Sequence, residues 1–392
     1  MKNSRRVWII VSIIVVFLLA VGLRTYAAYQ LHVDHDETTY LIASNIYSNY
    51  LRDGKYNWLA WEDINYEHPP MSKILYGFAL LSQPRLDKVN QTDLNDEKPI
   101  EDQQAYRYAM SARLVSVGFG SLAVLVLAIF NPLAGFFLAI DSLAIKYTSE
   151  IYLEALPMMA SLLAVVAYTR FYTLFINKSD KRKKAFLWLA VSGVALGLTA
   201  ASKYTYVVAG IAIVVHWLIA VLLKKIPAKT LLTMLGWGAF SIFMFFVFDP
   251  YLWVHTVERL VNTLGYHLRF SQTKFVQTAM YPVWQPINWL FRPFGHYSQV
   301  HDPYPNDALL LRLDTLIFFL AVLGFWRTIK KHPVFFIWIV VGLAMLFLWD
   351  TKWAQYPLII LAPWCYSASQ GTLMVVDSLK RLLLKKKAQQ SV

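Results

Sequence analysis

The stretch HVDHDETTYLIASNIYSNYLRDG, His32 to Gly54, stands directly after the first long apolar run of the chain, Val7–Tyr29. That run follows Lys2, Arg5 and Arg6 and is long enough to cross a bilayer as a helix. It is too long for a signal peptide and lacks a small-residue cleavage site, so it reads as a retained span. Just beyond it, Asp34, His35, Asp36 and Glu37 cluster at the mouth of the span. Tyr40, Ala43, Ile46, Tyr47, Tyr50 and Leu51 then recur at helical spacing, and the pattern stops at Arg-Asp-Gly. This predicts an amphipathic helix along the membrane surface with Asp36 at or near its start.

Outward from there the chain is 57% hydrophobic, and further apolar runs follow at Tyr106–Phe130, Leu133–Tyr147, Ile151–Ile176, Ala185–Ala201, Tyr204–Leu223, Thr230–Phe248, Leu309–Trp326, Val334–Trp349 and Tyr356–Val376. The fold class is therefore an all-α polytopic membrane protein with about ten transmembrane helices. The net charge of +13 does not signify a nucleic-acid partner, because the basic residues fall between apolar runs. A single cysteine, Cys365, excludes an intramolecular disulfide and a cysteine metal cluster. Short basic connections at 177–184, 224–229 and 327–333 and the basic tail, about 377–392, are cytoplasmic by the positive-inside rule. The two long, aromatic, less basic stretches, about 30–105 and 249–308, then share the external face of one membrane domain, 1–392.

Several constellations could carry chemistry at that face. A carboxylate at Asp36 is kept ionised by a helix N-terminus and suits a general base, although an ordinary helix cap has the same signature. In YEHPPMSK, Tyr66–Lys73, two prolines hold His68 on a stiff turn and Lys73 follows at headgroup depth, which also fits a simple re-entry turn with a snorkelling lysine. Ionisable residues in apolar runs are costly and are functional candidates by default. Loop charges place Arg113, Glu154, Lys203 and Lys352 near the outer ends of their spans, on the face that holds Asp36 and His68; Asp141, Glu150 and Asp350 are further intramembrane or juxtamembrane acids. Cations converging there suit a lipid phosphate, which departs without needing a proton.

Taken together, the chain resembles the GT-C glycosyltransferases, in particular the dolichyl-phosphate-mannose protein mannosyltransferase superfamily and its prokaryotic relatives. The resemblance rests on HDETTYL, HPPMSK, ARLVSVGFGSL, AIDSLAIKYTSEIYLEALPMM, GLTAASKYTY and TKWAQYPLIILAPW, in that order from residue 35 to 364. It implies a catalytic pair with Asp36 as base and Glu37 beside it, Glu37 and Glu154 supporting acceptor or sugar, and Arg113 and Lys203 holding the donor's phosphate. His68 and Lys73 would shape the pocket, with Lys352 at its edge. Where many relatives carry Ser-Arg, this chain has Ser149-Glu150, which leaves the source of a cation there open. The implied reaction is inverting transfer of one sugar, mannose or another hexose, from a polyprenyl-phosphate donor to a hydroxyl of a protein, lipid or glycan. The implied setting is a prokaryotic plasma membrane with the site facing outside, and protein O-mannosylation is one outcome. No cofactor is assigned, although a divalent metal could be met by Asp36, Glu37, Glu154 and His68. A transporter or flippase of a lipid-linked anion is the competing class; it predicts midplane charges and internal symmetry, and no repeat is visible. In the second long loop Tyr281, Trp284, Trp289, His267 and Arg292 suit sugar or peptide stacking, but most read as interfacial belt residues. Asn-Gln-Thr at 90–92 matches a glycosylation acceptor only as a short pattern.

Overall fold

The structure, a computed structural model, describes residues 2–60, 65–89, 103–176, 182–279, 281–292 and 308–390. The tripeptide at 90–92, the start of the basic connection at 177–181 and the end of the second long loop lie outside these residues. Among the described residues every regular element is helical. Seven helices are long and apolar enough to cross a membrane: α1 (Lys2–Gln30), α4 (Gln103–Phe130), α7 (Ala155–Ile176), α8 (Arg182–Ser202), α9 (Val208–Leu222) with the 3₁₀ turn Tyr204–Val207 ahead of it, α10 (Thr230–Phe248) and α16 (Leu358–Gln390). The basic tail is thus the continuation of α16 and not a loose end.

The other three expected apolar runs are built differently. Leu309–Trp326 lies in α14 (Ala308–Lys331), long enough but carrying Asp314 and Arg327 within it. Val334–Trp349 is α15 (Pro333–Leu348), a shorter apolar helix of 16 residues. Leu133–Tyr147 is broken into α5 (Pro132–Ile140) and α6 (Ser142–Tyr147), with Asp141 closing the first and capping the second.

That break exposes backbone groups in an apolar interior, where each must find a partner. The Asp141 side chain accepts from Ala144 N (2.9 Å), and Asp314 of α14 accepts from Ser142 N (3.1 Å) and from the Ser142 hydroxyl. At the other lip, fully buried Arg24 of α1 donates to Leu138 O (3.1 Å) and Ala139 O (3.3 Å), and to Thr148 Oγ1 (2.8 Å). Two helices, α1 and α14, therefore stitch one discontinuous crossing together.

Around it, α7 packs between α8 and α4, α1 lies on α4, and α10 covers α8. The α14–α16 pair is the closest approach: a Cβ on Gly371 would overlap Leu320 O, and one on Gly324 would overlap Ser367 O. Ser367 Oγ donates to Ala321 O (2.7 Å) across the same contact. Small residues and a polar bond at a helix crossing are what holds helices where lipid supplies no hydrophobic drive.

The predicted surface helix is α2 (His35–Arg52), which packs on α3 (Met71–Leu80). Asp34, one residue before it, is the N-cap, and with Glu37 it forms a capping box; Gly54, at φ 65°, ends the turn beyond Asp53. In the second long stretch α11 (Thr256–Ser271) exposes Val257, Val261, Leu264 and Leu268 on one face. Its other face is pinned to the first long stretch by Arg259, which donates to Ala60 O and Tyr251 O, and by Thr263 Oγ1, which donates to Tyr66 O (3.2 Å). The short helices α12 (Lys274–Ala279) and α13 (Gln285–Phe291) follow.

Replacing Gly371 with valine is expected to force α14 and α16 apart and lower stability by roughly 2 kcal/mol or more, as overpacking does. Thermal unfolding in detergent, compared with wild type, would show a lower midpoint; an unchanged midpoint would mean that the contact is dispensable.

Candidate active site

The carboxylate pair at the start of α2 divides into two unlike residues. Glu37 is fully buried, and both oxygens are used: Oε1 accepts from Arg113 Nε (2.8 Å) and Ile151 N (2.6 Å), Oε2 from Arg113 Nη2 (2.5 Å) and Asp34 N (2.9 Å). Arg113 also donates to Ala28 O (2.7 Å), Leu31 O (2.8 Å) and His32 O (2.9 Å), so its five N–H groups are all engaged. The expected phosphate ligand Arg113 and the expected catalytic Glu37 are thereby occupied with each other and with the backbone. Their geometry is that of a clamp joining the end of α1, the first turn of α2, α4 and the segment before α7.

Asp36, the neighbouring residue, points the other way. It lines a cavity of about 510 Å³ together with Asp34, Tyr40, His68, Lys203 and His267, with Tyr152, Trp353 and Tyr356 completing much of the wall. Its carboxyl is held above the ordinary carboxylate value, first by burial and then by the charge of Asp34, with Lys203 and His35 pulling the other way. Lys203 enters from the turn between α8 and α9. Its ammonium donates to Glu154 Oε1, the Tyr206 hydroxyl holds Glu154 Oε2 (2.6 Å), and the Tyr356 ring centroid lies 5.7 Å from Nζ. Glu154 and Lys203 are both buried, so Glu154 serves to fix the lysine and balance its charge.

His68 sits where Pro69 and Pro70 hold it, on the cavity wall, edge-on to Tyr40 (6.0 Å) and 5.5 Å from the His267 ring. Burial, followed by the charges of Lys203, His267 and Lys73, lowers its pKa well below the ordinary histidine value. Its imidazole is therefore neutral at neutral pH. Lys73 is buried behind the wall and donates to Asn65 O (2.6 Å). Lys352 donates to Phe347 O (3.3 Å) and Trp349 O, closing the carbonyl end of α15 next to the cavity without lining it.

Two residues to which the sequence gives no catalytic role, Asp34 and His267, also line the cavity. Asp34 lines the cavity, accepts from the Tyr152 hydroxyl (2.7 Å) and pairs with Lys146 (3.4 Å). Lys146 also pairs with Glu150 (2.9 Å), one helical turn later. In the second long stretch His267 is a cavity residue, Trp289 is buried in the core and Trp284 is exposed. Among the described residues no three His, Cys, Asp or Glu side chains are grouped to hold a metal ion.

A discontinuous helical membrane bundle with an acidic juxtamembrane helix beside a cavity that holds both carboxylates and a lysine has the GT-C fold. Two archaeal structures align with nearly all of this chain: the apo oligosaccharyltransferase of Archaeoglobus fulgidus (TM-score 0.59, 14% identity, 99% of this chain and 53% of that one) and the oligosaccharyltransferase AglB of the same organism in complex with an inhibitory peptide and a dolichol-phosphate (0.53, 13%, 99% and 52%). ArnT of Cupriavidus metallidurans bound to undecaprenyl phosphate also aligns (0.50, 12%, 95% and 60%). The chain spans about half to three fifths of the length of these structures. Residues 39–263 match the sequence profile of the dolichyl-phosphate-mannose-protein mannosyltransferase family, more than half of the chain, and the chain belongs to that family. No curated protein sequence matches it.

The two halves of the carboxylate pair are separable by experiment. Glu37→Gln leaves a buried guanidinium without its counter-charge and is expected to cost about 3–5 kcal/mol, whereas Asp36→Asn is expected to leave stability near wild type. Thermal unfolding in detergent distinguishes them; equal midpoints would remove the clamp role.

Proposed function

We propose that this chain is an inverting glycosyltransferase that moves one sugar from a polyprenyl-phosphate donor to a hydroxyl, with mannose as the first choice of sugar and a protein side chain as the first choice of acceptor. The observation that carries this reading is one cavity that opposes a partly exposed carboxylate, Asp36, to a buried ammonium, Lys203. The acceptor hydroxyl attacks the anomeric carbon and passes its proton to Asp36. As the new carbon–oxygen bond forms, the bond to the phosphate oxygen breaks, and the charge growing on the phosphate falls to Lys203. The lysine is suited to this because only one of its N–H groups is taken, by Glu154. Arg113 has no N–H left to offer, so in this reading the donor phosphate belongs to Lys203 alone among the two expected ligands.

Neutral His68 and His267 on the same wall add hydrogen bonding without a second positive charge. Behind His68, Lys203 and His267 a groove of about 200 Å³ runs between Leu264, Leu268, Tyr204 and Trp349. Its apolar lining fits the isoprenoid chain beside the phosphate. The basic connections lie at the other ends of the helices, which supports an external active site in a prokaryotic plasma membrane. A divalent metal is not needed by this scheme, since phosphate leaves unprotonated and Lys203 meets its charge.

Membranes containing the chain, given radiolabelled polyprenyl-phosphate-mannose, are expected to transfer label to a protein fraction. Asp36→Asn should lower the rate by about 10²–10⁴ and Lys203→Met should raise KM for the donor as well as lower kcat. Wild-type rates in Asp36→Asn would overturn the base assignment, and label confined to lipid would overturn the protein acceptor.

The raised carboxyl of Asp36 sets a pH dependence. A base must be ionised, so kcat/KM is expected to fall as pH drops through that raised value. Asp34 contributes to the elevation, and Asp34→Asn keeps a capping oxygen while removing the charge. The acid limb of the profile should therefore move to lower pH in this variant; an unmoved limb would assign the titration to another group.

A further inference from the structure

A second cavity, of about 220 Å³, lies far from Asp36 and has no part in the proposed transfer. α9 starts beside Lys203, and His216 stands thirteen residues beyond that lysine, roughly 20 Å along the helix at ~1.5 Å per residue. The cavity is bounded by the last turns of α7, by His216 of α9, and by Lys331, His332 and the first residues of α15. The Phe130 ring, at the end of α4, contacts His332 (5.0 Å), which fixes it at the end of the bundle opposite the Asp36 cavity.

Among the described residues its lining offers donors and no carboxylate. His216 is only 5% exposed, and its Nδ1 is bonded to the Tyr168 hydroxyl (2.8 Å). The tyrosine has no other acceptor among the described residues. With the hydroxyl donating to Nδ1, the imidazole proton sits on Nε2, which has no partner among the described residues. The Tyr172 hydroxyl, both ring nitrogens of His332 and the Lys331 ammonium likewise have no hydrogen-bond acceptor among the described residues, and all these residues line the space. His332 is also the N-cap of α15 without a side-chain cap; Pro333 has no N–H and the Phe335 N–H is taken by His332 O (3.0 Å), so the first turn of this 16-residue helix leaves the N–H of Val334, a lining residue. Arg170 and Lys225 add positive charge felt at His332 and His216; Asp377, the acid felt at Lys331, is taken by Arg327 (2.7 Å). At ~30 Å³ per water the space equals about seven waters, room for a tetrahedral oxyanion with a short attachment.

We propose that this cavity is a second, non-catalytic phosphate site, taking a phosphate monoester or diester either as the headgroup of a membrane lipid or as a free ion. His216 and Tyr172 supply hydrogen bonds from the inner wall, Lys331 supplies charge at the mouth, and the Val334 N–H in the first turn of α15 is a further donor. The site does not depend on the transferase reading, because none of its residues touches the Asp36 cavity.

The test uses the full chain in phosphatidylcholine nanodiscs carrying Lys203→Met, so that phosphate bound at the Asp36 cavity is not counted. Three probes are titrated: dioctanoyl phosphatidic acid, dioctanoylglycerol and inorganic phosphate, with bound copies counted by native mass spectrometry and thermal stability followed in parallel. Phosphatidic acid is expected to bind and stabilise where dioctanoylglycerol does not. Stabilisation by inorganic phosphate as well would identify the free ion as a ligand, and its failure would identify the lipid. Adding Lys331→Gln with His332→Gln should weaken binding roughly tenfold or more, and Tyr172→Phe, which removes one hydroxyl from a partly exposed ring, several-fold. Equal binding of phosphatidic acid and dioctanoylglycerol, or unchanged affinity in both sets of variants, would overturn the proposal.

Discussion

The Glu37–Arg113 pair is the constraint on which the rest of the site depends. A carboxylate and a guanidinium removed from water are costly unless nearly every donor and acceptor is met, and here the count closes: four bonds into Glu37, five from Arg113. The bonds reach the carbonyls that end α1, the N-cap backbone of α2 and the backbone at Ile151. Because Asp36 is the next residue before Glu37, fixing one carboxylate in the protein interior aims the other into the cavity. Two adjacent acids thus do opposite work, one immobile and saturated, one partly exposed and open to a proton.

The same division recurs across the cavity. Glu154 is buried against Lys203 and Tyr206, and its charge offsets that of an ammonium removed from water. Asp34 does for Tyr152 and Lys146 what Glu154 does for Tyr206 and Lys203. Asp36 and Lys203 are each flanked by a charged neighbour that is itself bonded, so the cavity holds opposite charges close together.

Much of this is legible in the sequence and some is not, for physical reasons. Periodicity places α2 and the long apolar helices, and loop charge gathers Asp36, His68, Glu154 and Lys203 at one end, because amphipathicity and charge asymmetry are local. The break at Asp141 is hidden, since an apolar run reads the same whether or not Asp314 and Arg24 arrive to satisfy a gap in it. Arg113 reads as a ligand because a cation in a span looks alike whether a phosphate or a glutamate is its partner; only the fold shows which. Asp34 is within reach: Asp-His-Asp-Glu carries a capping-box spacing, which makes Asp34, and not Asp36, the residue that starts the helix. The Lys146–Glu150 pair lies one helical turn apart, but that Lys146 also reaches Asp34, 112 residues earlier, is not legible from spacing.

The discontinuous α5–α6 segment also bears on biogenesis. Nine and six residues are each too short to cross a bilayer alone, and the exposed lips of the break are satisfied by Arg24, already synthesised, and by Asp314, which follows Ser142 by 172 residues. The segment thus emerges from the ribosome with one half of its backbone accounted for and the other half waiting on a helix near the end of the chain. A chain truncated before α14 lacks the acceptor that closes the gap, so integration of this crossing is a late event, coupled to the arrival of the C-terminal helices.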